Sequence, residues 1–277
     1  MPELPEIETI RRLLTTGSDD QPGILGEWIT RADLLWPGSL VVPSQEEFFR
    51  RINGQRILEI TRRGKYLVFK LDDGYLLYHL RMSGDLILEP AEAEIARHHR
   101  LILYLAGGRR LAFNDTRKFG RTWLVSDPQL VTDRLGPEPL DPAFDGLQFY
   151  ENLQRSRRQL KPLLMDQSFL AGLGNIYTDE ALHRAKLHPL TPAHLVSTVQ
   201  AEALLTAIRQ TLEDGIRHNG SSIDWVYRGG EFQNYFRVYG RKGLPCPGCG
   251  TRIEKMVVGQ RGTHFCPACQ PLKTEGK

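Results

Sequence analysis

The sequence predicts an α+β chain of more than one domain, with a β-sandwich in its first half, helices in its second and a metal-stapled hairpin at its end. Three observations predict this. The apolar period is that of strands from about Arg56 to Ser126. Prolines 137, 139 and 142 then break the chain, and the period beyond them is helical. All four cysteines fall in the last 32 residues, as two C-x-x-C pairs.

The opening stretch, MPELPEIETI, reads as the start of a helix. Proline suits a first turn because its missing N–H needs no partner there, and glutamates complement the positive end of the macrodipole. Ile7, Ile10, Leu13 and Leu14 recur at helical spacing. A second reading concerns the terminus. Removal of Met1 would leave Pro2 as a free secondary amine beside carboxylates. The ten residues alone leave both readings open.

Thr15 to Gly26 is polar and turn-rich, a loop by composition. RILEITRRGKYLVFKL, the turn Asp72-Asp73-Gly74 and YLLYHLRMSGDLIL form a hairpin pattern. RLILYLA, Gly107-Gly108 and RRLAFND repeat it, and RTWLVS adds a strand, giving a β-sandwich or flattened barrel. DRLGPEPLDPAF is a linker by its prolines. DGLQFYENLQRS, RQLKPLLMD and NIYTDEALHRA are helix candidates, the last after the glycine break LAGLG. The longest candidate runs from Ser197 to Arg217, with Ser197 and Gln200 at capping-box spacing and Val199, Leu204, Ile208, Leu212 and Ile216 on its apolar face. There is no internal repeat.

At 277 residues the chain has room for two domains, and no apolar run approaches the roughly 18 residues of a membrane helix. The acidic, proline-bearing N-terminus is no signal peptide, so a cytoplasmic protein is expected. A net charge of +3 is uninformative, but its distribution is not. Residues 231–277 carry +5, and the rest of the chain −2. A basic module on a near-neutral body fits a polyanionic partner, although a basic tail is also often a solvated one.

Cys246-x-x-Cys249, sixteen residues, then Cys266-x-x-Cys269 match a four-thiolate zinc site. A disulfide reading needs an oxidising compartment, and a redox C-x-x-C does not explain two pairs. A closed four-cysteine site has no open position, so its single Zn2+ is structural. The segment between the pairs reads as a β-hairpin with Gly259-Gln260-Arg261-Gly262 at its tip. Arg261 there can enter a groove or grip phosphate, or be a solvated turn residue.

With these parts placed, the chain resembles the bacterial formamidopyrimidine-DNA glycosylases, base-excision enzymes for oxidised purines. PELPEIET is similar to the family's N-terminal signature, and RRGKYL, HLRMSG and NDTRKFG to its N-domain motifs. LAGLGNIYTDEAL resembles its helix-two-turn-helix, and VYGRKGLPCPGCG…GQRGTHFCPACQ its zinc finger. The match runs nearly end to end. The endonuclease VIII-like sister group shares the fold and the terminal proline, but LPEIET and GLGNIYTDEAL favour the formamidopyrimidine branch. The resemblance implies an N-terminal catalytic β-sandwich domain with flanking helices (1–136) and a linker (137–146). A helical helix-two-turn-helix domain with a lesion-capping loop (147–236), a four-cysteine zinc-finger β-hairpin (237–272) and a tail (273–277) follow.

It implies a monomer acting at the nucleoid on double-stranded DNA that contains oxidised bases or abasic sites. Pro2, Glu3, Lys65 and Arg261 are its catalytic set: Pro2 attacks the deoxyribose C1′, Glu3 shuttles protons, Lys65 meets phosphate or sugar, and Arg261 grips phosphate. Glu6 is an accessory polar group of the same pocket, or only a helix-start acid. Met82, Arg117 and Phe119 fill the void left by the everted base; by residue type alone, Met82 and Phe119 would more often be core residues. Lys161 and Asn175 grip phosphate, Asn175 from the first turn of a helix that it can also cap, with Tyr177 on the same surface. His79 lines the DNA face or is a buried structural histidine. Ser221 to Phe232 corresponds to a lid over the everted base, the least family-like part of the C-terminal half, while TTGSDDQPG is a longer surface loop than usual. Two other activities fit some of these motifs: the sister activity on oxidised pyrimidines, and DNA binding without cleavage.

Overall fold

The computed structural model describes residues 1–19, 21–222 and 229–272. Helix α1 (Leu4–Thr16) begins at Glu3, so the proline of its first turn is Pro5, while Pro2 precedes the cap. Leu4, Ile7, Ile10 and Leu14 are buried, whereas Leu13, expected on the same stripe, is exposed. The expected loop that follows carries two short paired strands, β1 (Gly17–Ser18) and β2 (Gln21–Pro22).

Next come β3 (Trp28–Leu34), β4 (Leu40–Val42), α2 (Gln45–Ile52), β5 (Gln55–Arg63), β6 (Tyr66–Leu71) and β7 (Tyr75–His79). They are followed by β8 (Gly84–Pro90), β9 (His99–Leu105), β10 (Arg109–Asp115) and β11 (Arg121–Val125). The single apolar run from Arg56 to Leu71 is two strands, because Gly64 takes φ 55° and turns the chain at Lys65. The strands join in the order β4-β11-β7-β6-β5-β3-β9-β10-β8, all antiparallel except β4 with β11. Only two residue pairs connect β3 to β5, so the sheet divides there into two leaves of a sandwich. Leu101, Leu103, Leu111 and Phe113 from one leaf share a core with Leu67, Phe69, Leu76 and Tyr78 from the other and with Ile7, Ile10 and Leu14 of α1. Removing each such side chain from water is worth about 1.5–3 kcal/mol, which anchors α1 and thus the N-terminus.

Beyond α3 (Gln129–Thr132), the proline-rich stretch is not a free tether. Arg209 holds it by donating to the carbonyls of Pro139, Asp141 and Phe144, and Ala171 N donates to Pro137 O. Then come α4 (Gly146–Gln154), α5 (Leu160–Leu164), α6 (Asn175–Arg184), α7 (Thr198–Arg217) and the hairpin β12 (Glu254–Val258) and β13 (Arg261–Phe265). Ser197 and Gln200 cap α7 as expected, but Val199 lies exposed in its first turn, before the buried face begins.

The chain forms two compact units. One is Met1–Asp133 with Ser221–Gly230, and the other is Arg134–Gly220 with Glu231–Lys277. The helices and the four-cysteine hairpin thus belong to one unit. The start of the expected lid belongs with the sandwich rather than with the helices; residues 223–228 of it, and 273–277 of the expected tail, lie outside the described residues.

Candidate active site and metal centre

At the N-terminus the backbone folds so that one carboxylate fixes several groups. Glu3 and Glu6 form a capping box, in which Glu6 Oε2 accepts the Glu3 N–H at 2.8 Å. Glu6 Oε1 accepts the Ser221 N–H at 2.8 Å and the Ser221 hydroxyl at 3.3 Å. Both oxygens of this buried carboxylate are therefore engaged. Glu6 acts as a clamp: it fixes the backbone of Glu3, next to buried Pro2, and ties the first residue of the 221–230 segment to α1. Glu3 is itself buried, an acid enclosed beside the terminus. Ser221 was not singled out by the sequence, since its partner is 215 residues away.

Lys65 is buried in the β5–β6 turn, held open by Gly64, whose carbonyl accepts from Arg62 at 3.0 Å. His79, at the end of β7, is also buried and packs edge-on against Tyr66 at 4.6 Å. Burial, with Arg81 and Lys65 nearby, pushes its pKa down to about 3, so the ring is neutral. Its Nδ1 accepts the Arg81 N–H at 3.0 Å, which puts the ring proton on Nε2. His79 is thus buried, as one of the two expectations had it, and supports the turns carrying Lys65 and Arg81.

Met82, Arg117 and Phe119 all stand exposed, at 38% for Met82 and 45% for Phe119, which removes the core alternative for the two apolar residues. Arg117 lies over the Phe119 ring, 4.9 Å from its centroid. Their two turns are knotted together by Asp115, which is almost wholly buried. One carboxylate oxygen accepts the Ser83 hydroxyl and the Arg117 N–H (3.1 Å), and the other accepts the Gly120 N–H at 2.7 Å. Ser83 Oγ also accepts the Arg117 N–H, and Arg100 holds the Asp115 carbonyl at 2.7 Å. Gly120 has no alternative, as a Cβ there would fall 2.2 Å from the Phe113 ring. Asp115, Ser83 and Arg100 were missed by the sequence reading. The first two sit inside NDTRKFG and HLRMSG, and an aspartate just before a glycine-bearing turn was the available signal.

In the helical unit the expected phosphate grips behave differently. Lys161 is fully buried; its Nζ donates to Asp179 Oδ1 at 2.6 Å and to the Gly262 carbonyl at 3.1 Å. The N-cap of α6 is Gly174, so Asn175 does not cap it, and Asn175 Nδ2 donates to the same Gly262 carbonyl at 3.1 Å. Tyr177 is not on a surface at all: it is buried and stacked on Phe232 at 5.2 Å, with Gly215 leaving room for its ring. Lys161 and Tyr177 as phosphate-facing groups are thereby corrected. Lys161 was expected there from the family resemblance and Tyr177 as a candidate for the same surface, but the packing of α5 and α6 turns both toward the unit's interior. Arg261 remains exposed, beside a two-residue turn in which Gly259 and Gln260 have φ 54° and 62°. Lys161 and Asn175 hold the residue that follows it.

Helix α6 also binds the finger through Glu180, whose carboxylate accepts the N–H groups of Arg237, Val238 and Tyr239 at 2.8–3.0 Å, and through Asp179 Oδ2, which accepts the His264 N–H at 2.8 Å. The four cysteine Sγ atoms lie within 4.8 Å of one another. Cys246–Cys269 and Cys249–Cys266 are 3.9 and 3.5 Å apart, too far for disulfides. They suit the sulfur–sulfur spacing of about 3.8 Å around tetrahedral zinc with bonds of about 2.3 Å. Burial and Arg237 hold His183, at 3.3 Å from Cys246 Sγ, down to about 4.

A β-sandwich headed by a capped helix, joined to a helix-two-turn-helix unit with a four-cysteine finger, is the architecture of zinc-finger DNA glycosylases. Residues 1–122 match the profile of the formamidopyrimidine-DNA glycosylase N-terminal domain, 135–226 that family's H2TH domain, and 243–272 the zinc finger found in FPG and IleRS. The formamidopyrimidine-DNA glycosylases of Chloroflexus aurantiacus and Protochlamydia amoebophila are 46% and 41% identical. Each comparison covers 98% of this chain and 98% or 99% of the relative. Crystal structures of Lactococcus lactis Fpg bound to N7-benzyl-Fapy-dG DNA and to abasic-site DNA superpose with a TM-score of 0.89, at 38% and 37% identity. Those superpositions cover 98% and 97% of this chain and 100% and 99% of the other. The chain belongs to the formamidopyrimidine-DNA glycosylase family.

Proposed function

We propose that this chain is a bifunctional DNA glycosylase and AP lyase of base excision repair, which removes oxidised purines from duplex DNA through the amine of Pro2. The observation that carries the reading is the buried Pro2–Glu3 pair, held by the Glu6 clamp in the unit that displays Met82, Arg117 and Phe119. Removal of Met1 is the precondition, because the Pro2 nitrogen is otherwise an amide. A free α-amine titrates at about 7.7–8.0, so a useful fraction is nucleophilic near neutral pH. The nitrogen attacks C1′, the glycosidic bond breaks, and the base leaves with that bond's electron pair and a proton. Glu3, enclosed beside the terminus, is the acid that protonates the sugar ring oxygen as the C1′–O4′ bond breaks and the nitrogen lone pair forms the C=N bond.

A secondary amine yields an iminium that cannot lose its charge by deprotonation at nitrogen. That cation acidifies C2′, so loss of a C2′ proton expels the 3′-phosphate, and a second elimination expels the 5′-phosphate. Lys65 meets the lesion phosphate or sugar, and Arg261 grips phosphate. Met82, Arg117 and Phe119 fill the void of the everted base by wedge, hydrogen bonds and stacking. Asn175 and Lys161 serve Arg261 by fixing the Gly262 carbonyl. The catalytic domain is 1–136 and the DNA grip lies beyond it. Among the described residues no helix is long and apolar enough to cross a membrane, and a monomer working at the bacterial nucleoid fits the substrate.

Borohydride trapping tests this. Covalent capture of a duplex with 8-oxoguanine opposite cytosine is expected, and Pro2→Gly should bind that duplex but lose most cleavage. Capture confined to oxidised pyrimidines would assign the sister activity. Binding to an abasic analogue without any capture would leave a silent homologue, and full lyase activity with Met1 retained would exclude Pro2.

A further inference from the structure

His183 has no part in the chemistry above. It lies on the face of α6 that meets the finger, three and four residues beyond Glu180 and Asp179, which hold the finger's backbone. Its Nε2 is 3.3 Å from Cys246 Sγ, and both residues are buried. Its Nδ1 is buried and has no hydrogen-bond partner among the described residues.

A neutral imidazole carries one ring proton, and its place follows from these contacts. On Nδ1 it would leave a buried N–H unpaired and turn the Nε2 lone pair onto an electron-rich sulfur. On Nε2 it meets an acceptor, and only a lone pair is left unmatched. A zinc-bound cysteine is a thiolate and can only accept. The sulfur already takes the Gly248 N–H at 3.4 Å from within the finger. Among the described residues, His183 is the side chain from outside the finger that reaches a cysteine sulfur.

Four thiolates on one Zn2+ leave a net charge of −2, which donors to sulfur disperse. We propose that His183 is a positioning residue of the zinc site, donating Nε2–H to the Cys246 thiolate and thereby tying metal retention in the finger to helix α6. The bond orients one sulfur toward the metal and disperses part of its charge, so the site holds its metal more firmly.

The test uses the full chain loaded with zinc and a chromophoric chelator as competitor. His183→Phe keeps ring volume but has no donor, and should weaken zinc binding by roughly 10–100-fold. His183→Gln restores an N–H donor and should return to within a fewfold of the parent. In the unsubstituted zinc protein labelled with 15N-histidine, His183 should be the Nε2–H tautomer, a readout that needs no variant to fold. Zinc retention in His183→Phe equal to the parent, failure of His183→Gln to recover it, or an Nδ1–H tautomer would each overturn the proposal.

Discussion

Glu6 shows how one side chain can connect distant parts of a sequence. Its two oxygens accept one N–H from Glu3 and the N–H and hydroxyl of Ser221, so a glutamine in its place must leave a donor facing a donor. Glu6→Gln should therefore cost about 1–3 kcal/mol in urea unfolding and slow covalent trapping in parallel; an unchanged midpoint would remove the clamp from the account. His79 gives a pH dependence whose sign follows from its burial. Its folded pKa of about 3 lies below that of an exposed histidine, near 6.5, so the unfolded chain binds the extra proton first. Stability is then complete above about pH 6.5 and falls toward pH 3 by up to ~1.4 kcal/mol per pH unit from this residue. His79→Asn keeps an acceptor for Arg81 and should flatten that slope between pH 6 and 4, measured by thermal melts at each pH.

At the level of elements, the motifs divide into side chains that are displayed and side chains that hold them. The turns bearing Met82 and Arg117–Phe119 are rigid because Asp115 binds both from below. Helix α6 holds the finger by Asp179, Glu180 and the Lys161 ion pair, which is wholly dry. Lys161→Met would leave the Asp179 carboxylate buried without its cation, at a cost of about 3–5 kcal/mol. Calorimetry should show the helical unit melting several degrees earlier; an unshifted transition would show that the pair is dispensable. Residue type announced a cation, but only packing revealed that it faces a carboxylate rather than a phosphate.

For the molecule as a whole, the zinc finger belongs to the helical unit, and its small core of Val238, Cys246, Ile253 and Cys266 cannot stand by itself. Structural zinc supplies the folding free energy that so few apolar residues lack. Chelation should abolish duplex binding and amide protection in β12 and β13, while the sandwich amides, supported by the core shared between its leaves, stay protected. Hydrogen exchange read by mass spectrometry distinguishes these regions, and a metal-free protein that still binds duplex would contradict the expectation.

The sequence by itself determined the order of parts, the strand and helix periods, the zinc ligands and the family, because these depend on local spacing and on residue chemistry. It also marked Pro2 and Glu3, since a proline after an initiator Met has a chemical meaning wherever the chain goes next. Tertiary structure decided what spacing cannot encode: that Ser221 is the partner of Glu6, that Asp115 ties two turns, and that Tyr177 and His79 are buried. The two strands and the helix between Trp28 and Ile52 also escaped the sequence reading, the strands being set by pairing with β9 and β11, which are distant in sequence. Periodicity tells which face of an element is apolar, and only the folded chain tells what that face, and each polar group upon it, is placed against. The helix that Glu3 caps could be read from ten residues; the clamp that steadies it required Ser221, 215 residues away.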